Sequence, residues 1–317
     1  MGKHGQLVMG PAGSGKSTYC NALSKYCEQT GRVVHVVNLD PAAEHFSYPV
    51  SIDIRDLISL SDVVEELNYG PNGGLIYCME YLLDHLSWLS DAVEDFGDDY
   101  LIFDLPGQIE LYTHLPVMQR LVGFLTKQCG YQLCAIYCLD SLFITDPSRF
   151  VSGTLMCLSA MIHLELPHIN LLTKCDLVPN KKTLRKYCDP DMAMVEGMER
   201  AKNAAERREE EEDEDEEGDA LSRKSSHRGS SLTTSLSSSS SSVSSRLPSK
   251  FSHLTSAISS LIDQYSMVNF FPLDITQEES MALVMQHVDR AIGYGEDLEP
   301  KEPKDQDTDN ALESIAE

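Results

Sequence analysis

Apolar residues along this chain fall into short runs that stop abruptly at glycine, aspartate or asparagine. Leu7-Val-Met9 ends at Gly10, and Val33-Val-His-Val-Val37 runs into Asn38-Leu-Asp40-Pro. Asp99 to Asp104 and Tyr131 to Leu139 repeat the form, and His168 to Leu172 leads into Thr173-Lys-Cys-Asp176. Runs of this length, rich in β-branched and aromatic residues, predict strands buried on both faces. Between them apolar positions recur at helical spacing over 16–29, 53–67, 75–89, 111–127 and 147–165. Gly31 stops the first helix, Ser61 or Asp62 can cap within the second, and Trp88 falls on the core face of the third. Gly70-Pro-Asn-Gly-Gly74 reads on composition as a tight loop. A helix over 251–265, a strand over 268–273 and a helix over 276–294, with Glu278 and Glu279 in its first turn, follow later. Strands alternating with helices predict an α/β fold, a mostly parallel sheet with helices on both faces.

Composition interrupts this pattern once. Glu209 to Glu217 is a block of like charge, and serine-rich sequence including Ser237 to Ser242 follows it. Nothing there can bury a core, which predicts a disordered acidic and serine-rich insertion over 197–249. The serines at Arg223-Lys-Ser-Ser226 stand beside basic residues and suit phosphorylation, although a passive solvated loop is the simpler expectation. The expected organisation is a core over 1–196, the insertion, the rest of the same core over 250–296, and an acidic disordered tail over 297–317. The net charge of −25 argues against direct nucleic-acid binding and for protein partners. Nine cysteines lack paired metal spacing and read as buried thiols in a reducing compartment. His45, His114, His163 and His168 form no ligand cluster with them. No apolar stretch approaches the ~18 residues of a membrane span. The chain enters a strand almost at once, so no signal peptide is expected. Gly2 lacks the Ser or Thr at position 6 that would suit myristoylation.

Candidate chemistry sits at the strand ends. Gly10 to Ser17 satisfies G-x-x-x-x-G-K-S directly after a strand and before a helix,. Glycines there, with Gly13, Ser14 and Gly15 in the loop, let backbone N–H groups converge on phosphate oxygens. The helix N-terminus carrying Lys16, Ser17 and Thr18 favours negative charge. Lys16 supplies a cation for the outer phosphates, and the Ser17 hydroxyl can ligate magnesium. Asp40, before a Pro turn, faces metal or attacking water, or caps its turn. Asp104-Leu-Pro-Gly-Gln108-Ile-Glu110 puts a strand-end carboxylate on the magnesium water shell. Gln108 and Glu110 follow closely enough to orient water. Asp176 can accept from guanine N1–H and the exocyclic amine, while Lys174 covers the base. That set describes a magnesium-dependent phosphate-loop nucleotide hydrolase. A nucleotide-binding scaffold with little turnover uses the same motifs. A small-molecule kinase would need an Arg-rich lid, and arginine is sparse outside the insertion.

In this order, Gly10-Pro-Ala-Gly-Ser-Gly-Lys-Ser-Thr18, Asn38-Leu-Asp-Pro-Ala42, Gly70-Pro-Asn72, Asp104-x-Pro-Gly-Gln-x-Glu110 and Thr173-Lys-x-Asp176 resemble the GPN-loop GTPases. Asp40 to Phe46, Gln108 to Pro116 and Ser266 to Leu273 are most similar to the third of that family's eukaryotic groups. The resemblance spans 5–195 and 250–300. It implies a phosphate-loop GTPase fold, GTP or GDP with Mg2+ as cofactors, and Thr173, Lys174 and Asp176 on the guanine. It also implies a dimer in which Gly70, Pro71 and Asn72 reach the partner's nucleotide, with Asn72 near the γ-phosphate. Thr173 stands where most GTPases have Asn, so that residue's packing role must be met differently. Further implications are pairing with the first family paralogue or a second copy, a role in RNA polymerase II assembly and nuclear import, and a cytoplasmic location with access to the nucleus.

Overall fold

The computed structural model describes residues 2–178, 184, 188 and 268–296. The insertion, the helix expected over 251–265 and the tail lie outside the described residues.

Among the described residues seven strands form one parallel sheet: β1 (Lys3–Met9), β2 (Val34–Asn38), β3 (Val50–Asp53), β4 (Tyr100–Asp104), β5 (Tyr131–Asp140), β6 (His168–Thr173) and β7 (Phe270–Pro272). Their order is β3-β2-β4-β1-β5-β6-β7. The helices of the described residues include α1 (Lys16–Thr30), α2 (Leu60–Leu67), α3 (Pro71–Asp84), α4 (Leu86–Glu94), α5 (Glu110–Thr113), α6 (Val117–Lys127), α7 (Pro147–Leu164) and α8 (Glu278–Ile292). Alternate residues of each central strand enter different cores. Leu7 and Met9 join the layer under α3–α7, while Val8 joins the layer under α1 and α8. Both faces are therefore dry, as the unbroken apolar runs require.

Three boundaries differ from expectation. The stretch expected as helix over 53–67 holds the end of strand β3, a 3-10 turn at Ile54–Asp56 and the shorter α2. Pairing of Val50 to Asp53 with β2 overrides the local helical spacing,. α2 is capped by Ser59, whose hydroxyl accepts from Asp62 N–H at 3.3 Å. The Gly70–Gly74 stretch is not a loop: Gly70 is the N-cap of α3 and Pro71 its first residue, the position where a missing N–H costs nothing. A Cβ at Gly74 would stand 2.9 Å from Leu60 Cδ1, so glycine there lets α3 pack against α2. The helix expected over 75–89 breaks at His85, whose ring Nδ1–H donates to the Tyr81 carbonyl at 2.8 Å. Trp88, on α4, packs on the core as expected. Among the described residues no helix is long and apolar enough to cross a membrane.

Candidate nucleotide site

The register carries the chemistry-bearing residues to one edge of the sheet. Val8 and Asn38 both pair with Asp104, and Asp140 pairs with Thr173. The chain runs from β1 to one side of the sheet and later returns past it to β5, which makes the C-terminal end of β1 a topological switch point,.

The loop after β1 needs its glycines. Gly10 has φ 138° and a Cβ there would meet the Cys138 carbonyl oxygen at 2.2 Å. Gly13 and Gly15 have φ of 76° and 90°. Ser14 N–H closes the turn on the Pro11 carbonyl at 3.1 Å. From the far side of the sheet, the Thr173 hydroxyl lies 2.5 Å from the Ser14 carbonyl and 3.2 Å from that of Leu139, its proton shared between them. α1 then begins with no side-chain cap and no acidic residue in its first turn, so its leading N–H groups are open to an anion. Lys16 is only 8% exposed, and its Nζ lies 3.4 Å from the Pro11 carbonyl. The turn after β4 closes over this loop: a Cβ at Gly107 would come 2.9 Å from Ala12 Cα and 3.1 Å from Lys16 Nζ.

Beneath the loop, the Ser17 hydroxyl donates to Asp104 Oδ2 at 2.8 Å, and the Tyr48 hydroxyl donates to the same oxygen at 2.7 Å. Asp104 is 3% exposed, and its Oδ1 is buried without a hydrogen-bond partner. Burial pushes its carboxyl above the usual carboxylate range, against the hydrogen bonds from Tyr48 and Ser17 and the nearby Lys16 charge,. An orphaned carboxylate oxygen beside a hydroxyl whose proton is turned inward is a donor set that fits a hard divalent cation, with oxygen ligands only.

Asp40 is fixed two residues past β2. Its N–H donates to Asn38 Oδ1 at 3.1 Å, and its Oδ1 accepts from Ala42 N–H at 3.0 Å. It is therefore both a turn-forming residue and a neighbour of the site. Burial raises its carboxyl, with the Ala42 N–H and Lys16 opposing. Gln108 Nε2 donates to Asn72 Oδ1 at 3.1 Å, joining the start of α3 to the turn after β4 within one chain. Gly70, Pro71 and Asn72 are exposed. Glu110 opens α5 and is also exposed.

On the opposite side, Lys174 takes a left-handed conformation (φ 58°) and its Nζ pairs with Asp140 Oδ2 at 2.6 Å. Asp176 is exposed in a 3-10 turn over Cys175–Leu177. That turn is held by the residue just past β7, since Cys175 N–H donates to the Leu273 carbonyl at 3.3 Å. A groove of about 340 Å³ lies between α1 and the start of α8, lined by Thr18, Asn21 and Lys25 of α1 and by Ile275, Gln277 and Met281.

The structure thus brings together Lys16, Ser17, Asp104 and Gly107, and separately Asn72 with Gln108 and Lys174 with Asp140. Glu110 and Asp176 stand at the rim without a hydrogen bond to the others. Sequence reasoning missed Tyr48, which belongs to no motif; only its place under Asp104, 56 positions away, reveals it. Among the described residues no group of His, Cys, Asp and Glu gathers as a multi-ligand metal site.

A family model described as "Conserved hypothetical ATP binding protein" matches residues 8–294. Curated relatives include the GPN-loop GTPase 3 of Mycosarcoma maydis, 49% identical, covering 97% of this chain and 98% of the relative. That of Dictyostelium discoideum is 47% identical over 96% of this chain and 92% of the relative. That of Saccharomyces cerevisiae is 43% identical over 96% and 98%. A solved structure described as a GTPase in apo form from Pyrococcus abyssi superposes with a TM-score of 0.64 at 19% identity, covering 91% of this chain and 97% of that one. It supports the fold alone. Matches of this identity over nearly the whole of both chains decide the family: the chain belongs to the GPN-loop GTPases.

Proposed function

We propose that this chain binds GTP with magnesium and hydrolyses it, the two nucleotide states driving different dimer arrangements. The observation that carries the reading is the cradle at the end of β1. Positive-φ glycines, an uncapped helix N-terminus and buried Lys16 lie directly over the Ser17–Asp104 pair. The loop amides and Lys16 would hold the phosphates. Ser17 and, through water, Asp104 would hold magnesium, which supplies charge neutralisation on the outer phosphates. Asp40, Gln108 or Glu110 would orient the attacking water. No nucleophilic side chain is required, because phosphoryl transfer rests on positioning and charge stabilisation.

The base is the point on which the relatives' name and the family model's description differ, GTP against ATP. Asp176 favours guanine: a carboxylate accepts from N1–H and the 2-amine, and adenine offers neither. Equilibrium binding of GTP, GDP and ATP in magnesium to wild type and Asp176→Ala tests it. Tight guanine binding lost in the variant supports the reading. Equal or better ATP binding overturns it.

One observation favours a second reading, a GTP-bound assembly scaffold with little turnover of its own. In the single chain Gln108 is engaged by Asn72, and Asp40 by the backbone of its own turn. The resemblance supports Asn72 reaching the nucleotide of a partner chain, either a second copy or the first family paralogue. It also supports a role in RNA polymerase II assembly and nuclear import, exercised from the cytoplasm with entry to the nucleus.

A further inference from the structure

Tyr48 lies in the loop of residues 39–49 that joins β2 to β3 and carries Asp40 near its start. Its ring is 5% exposed and packs in the α1 layer with Val8, Tyr19, Cys20 and Val36. Packing there would be met as well by phenylalanine. The hydroxyl instead reaches Asp104 Oδ2 at 2.7 Å, the oxygen that also accepts from Ser17 at 2.8 Å. Two donors on one oxygen fix the carboxylate's rotation and leave Oδ1 as the oxygen without a hydrogen bond. Arg55 holds two further residues of the loop, and one of them, Phe46, meets the tyrosine. Arg55 Nη1 donates to the Ala43 carbonyl at 2.9 Å, and its guanidinium lies 4.5 Å from the Phe46 ring centroid. The Phe46 ring is in turn 5.6 Å from the Tyr48 ring.

We propose that Tyr48 is a positioning residue of the metal site: its hydroxyl orients Asp104 and ties the Asp40-bearing loop to that carboxylate. Metal binding and the placement of Asp40 are then one mechanical event. The inference rests on the magnesium reading above. Partners of this kind, which orient a ligand without touching the metal, typically change metal affinity or activity by about 10- to 100-fold when removed.

The test is the release of a fluorescent GDP from wild type and Tyr48→Phe, titrated with Mg2+ and repeated in chelator. In Tyr48→Phe the Mg2+ concentration that half-maximally slows release should rise by about tenfold. Release in chelator should stay unchanged, and kcat should fall with little change in KM. A folded Tyr48→Phe with wild-type Mg2+ dependence overturns the proposal, whatever happens to its melting temperature. Wild-type release indifferent to Mg2+ overturns the magnesium reading itself, and the proposal with it. In an Asp104→Asn background, Tyr48→Phe should add no further change; an additive loss there also overturns it. If Tyr48→Phe fails to fold, 3-fluorotyrosine at position 48 keeps the ring and alters only the donor. A shifted half-effect concentration then supports the proposal, and an unshifted one overturns it.

Discussion

At the scale of single residues, the site shows where local chemistry ends and tertiary contact begins. Lys16, Ser17 and Asp104 were legible because a glycine-rich turn after an apolar run has few other uses. The work of Thr173 was not, because its hydroxyl acts on a carbonyl 159 positions away. It meets the question of what replaces asparagine at that position: a short hydroxyl clamps the phosphate loop through Ser14. Thr173→Val keeps the shape and removes the bond. It should cost about 1–3 kcal/mol in urea unfolding and weaken GDP binding by more than that loss of stability explains. Asp104 gives a prediction of opposite sign in two states. Its carboxyl is raised by burial above the unfolded value of 3.8, so the metal-free fold is stabilised by protonation. That stabilisation is lost as pH rises from the unfolded value through the raised folded one. Asp104→Asn removes the buried charge while keeping an oxygen for Ser17 and Tyr48. It should melt higher than wild type at pH 7 in chelator and lower than wild type in Mg-GDP. A variant less stable in both conditions would contradict the account of Asp104 as a carboxylate kept ready for a cation.

Elements were read well where the run was long and less well where neighbours decide. β5 and α7 follow their apolar patterns almost to the residue. β3 is four residues at the sheet edge, and only β2 and the Asn38–Asp53 bond at 2.9 Å make it a strand. Gly70-Pro71 carried a legible helix-start signal that its glycine content obscured. β6 opens with His168, whose ring nitrogens are both buried without hydrogen-bond partners, although part of the residue reaches the surface. Burial pulls this imidazole down to about 4. The unfolded chain therefore binds its proton first as pH falls, and the fold loses stability between about 6.5 and 4. The full contribution is present above that window. The expected loss is on the order of 1–3 kcal/mol after allowance for partial exposure. His168→Phe should flatten this part of the pH–stability curve relative to wild type, while ring packing beside Tyr137, at 6.2 Å between centroids, persists. An unchanged slope would show that the unfolding proton is taken up elsewhere.

For the whole molecule, the parallel sheet gathers the residues proposed to meet phosphate, metal and base from strands that are distant in sequence, yet it leaves the groups proposed to orient water engaged elsewhere or exposed. Gln108 is held by Asn72 of its own chain, at an exposed surface formed by Gly70, Pro71 and Asn72. A partner's Asn72 entering the site would have to compete with that bond, and its release would free the Gln108 amide. Two consequences separate a paired enzyme from a solitary one. Turnover per chain should rise with protein concentration and level off once pairing is complete, since the fraction paired follows mass action. Asn72→Ala should leave GDP affinity near wild type, because no phosphate-loop group is altered, and should depress turnover at every concentration. Measuring GTP hydrolysis over a dilution series, alone and with the first family paralogue added, reads both. Turnover per chain that stays constant on dilution, with Asn72→Ala unaffected, would mean that each chain completes its own site and that the exposed turn serves something other than catalysis.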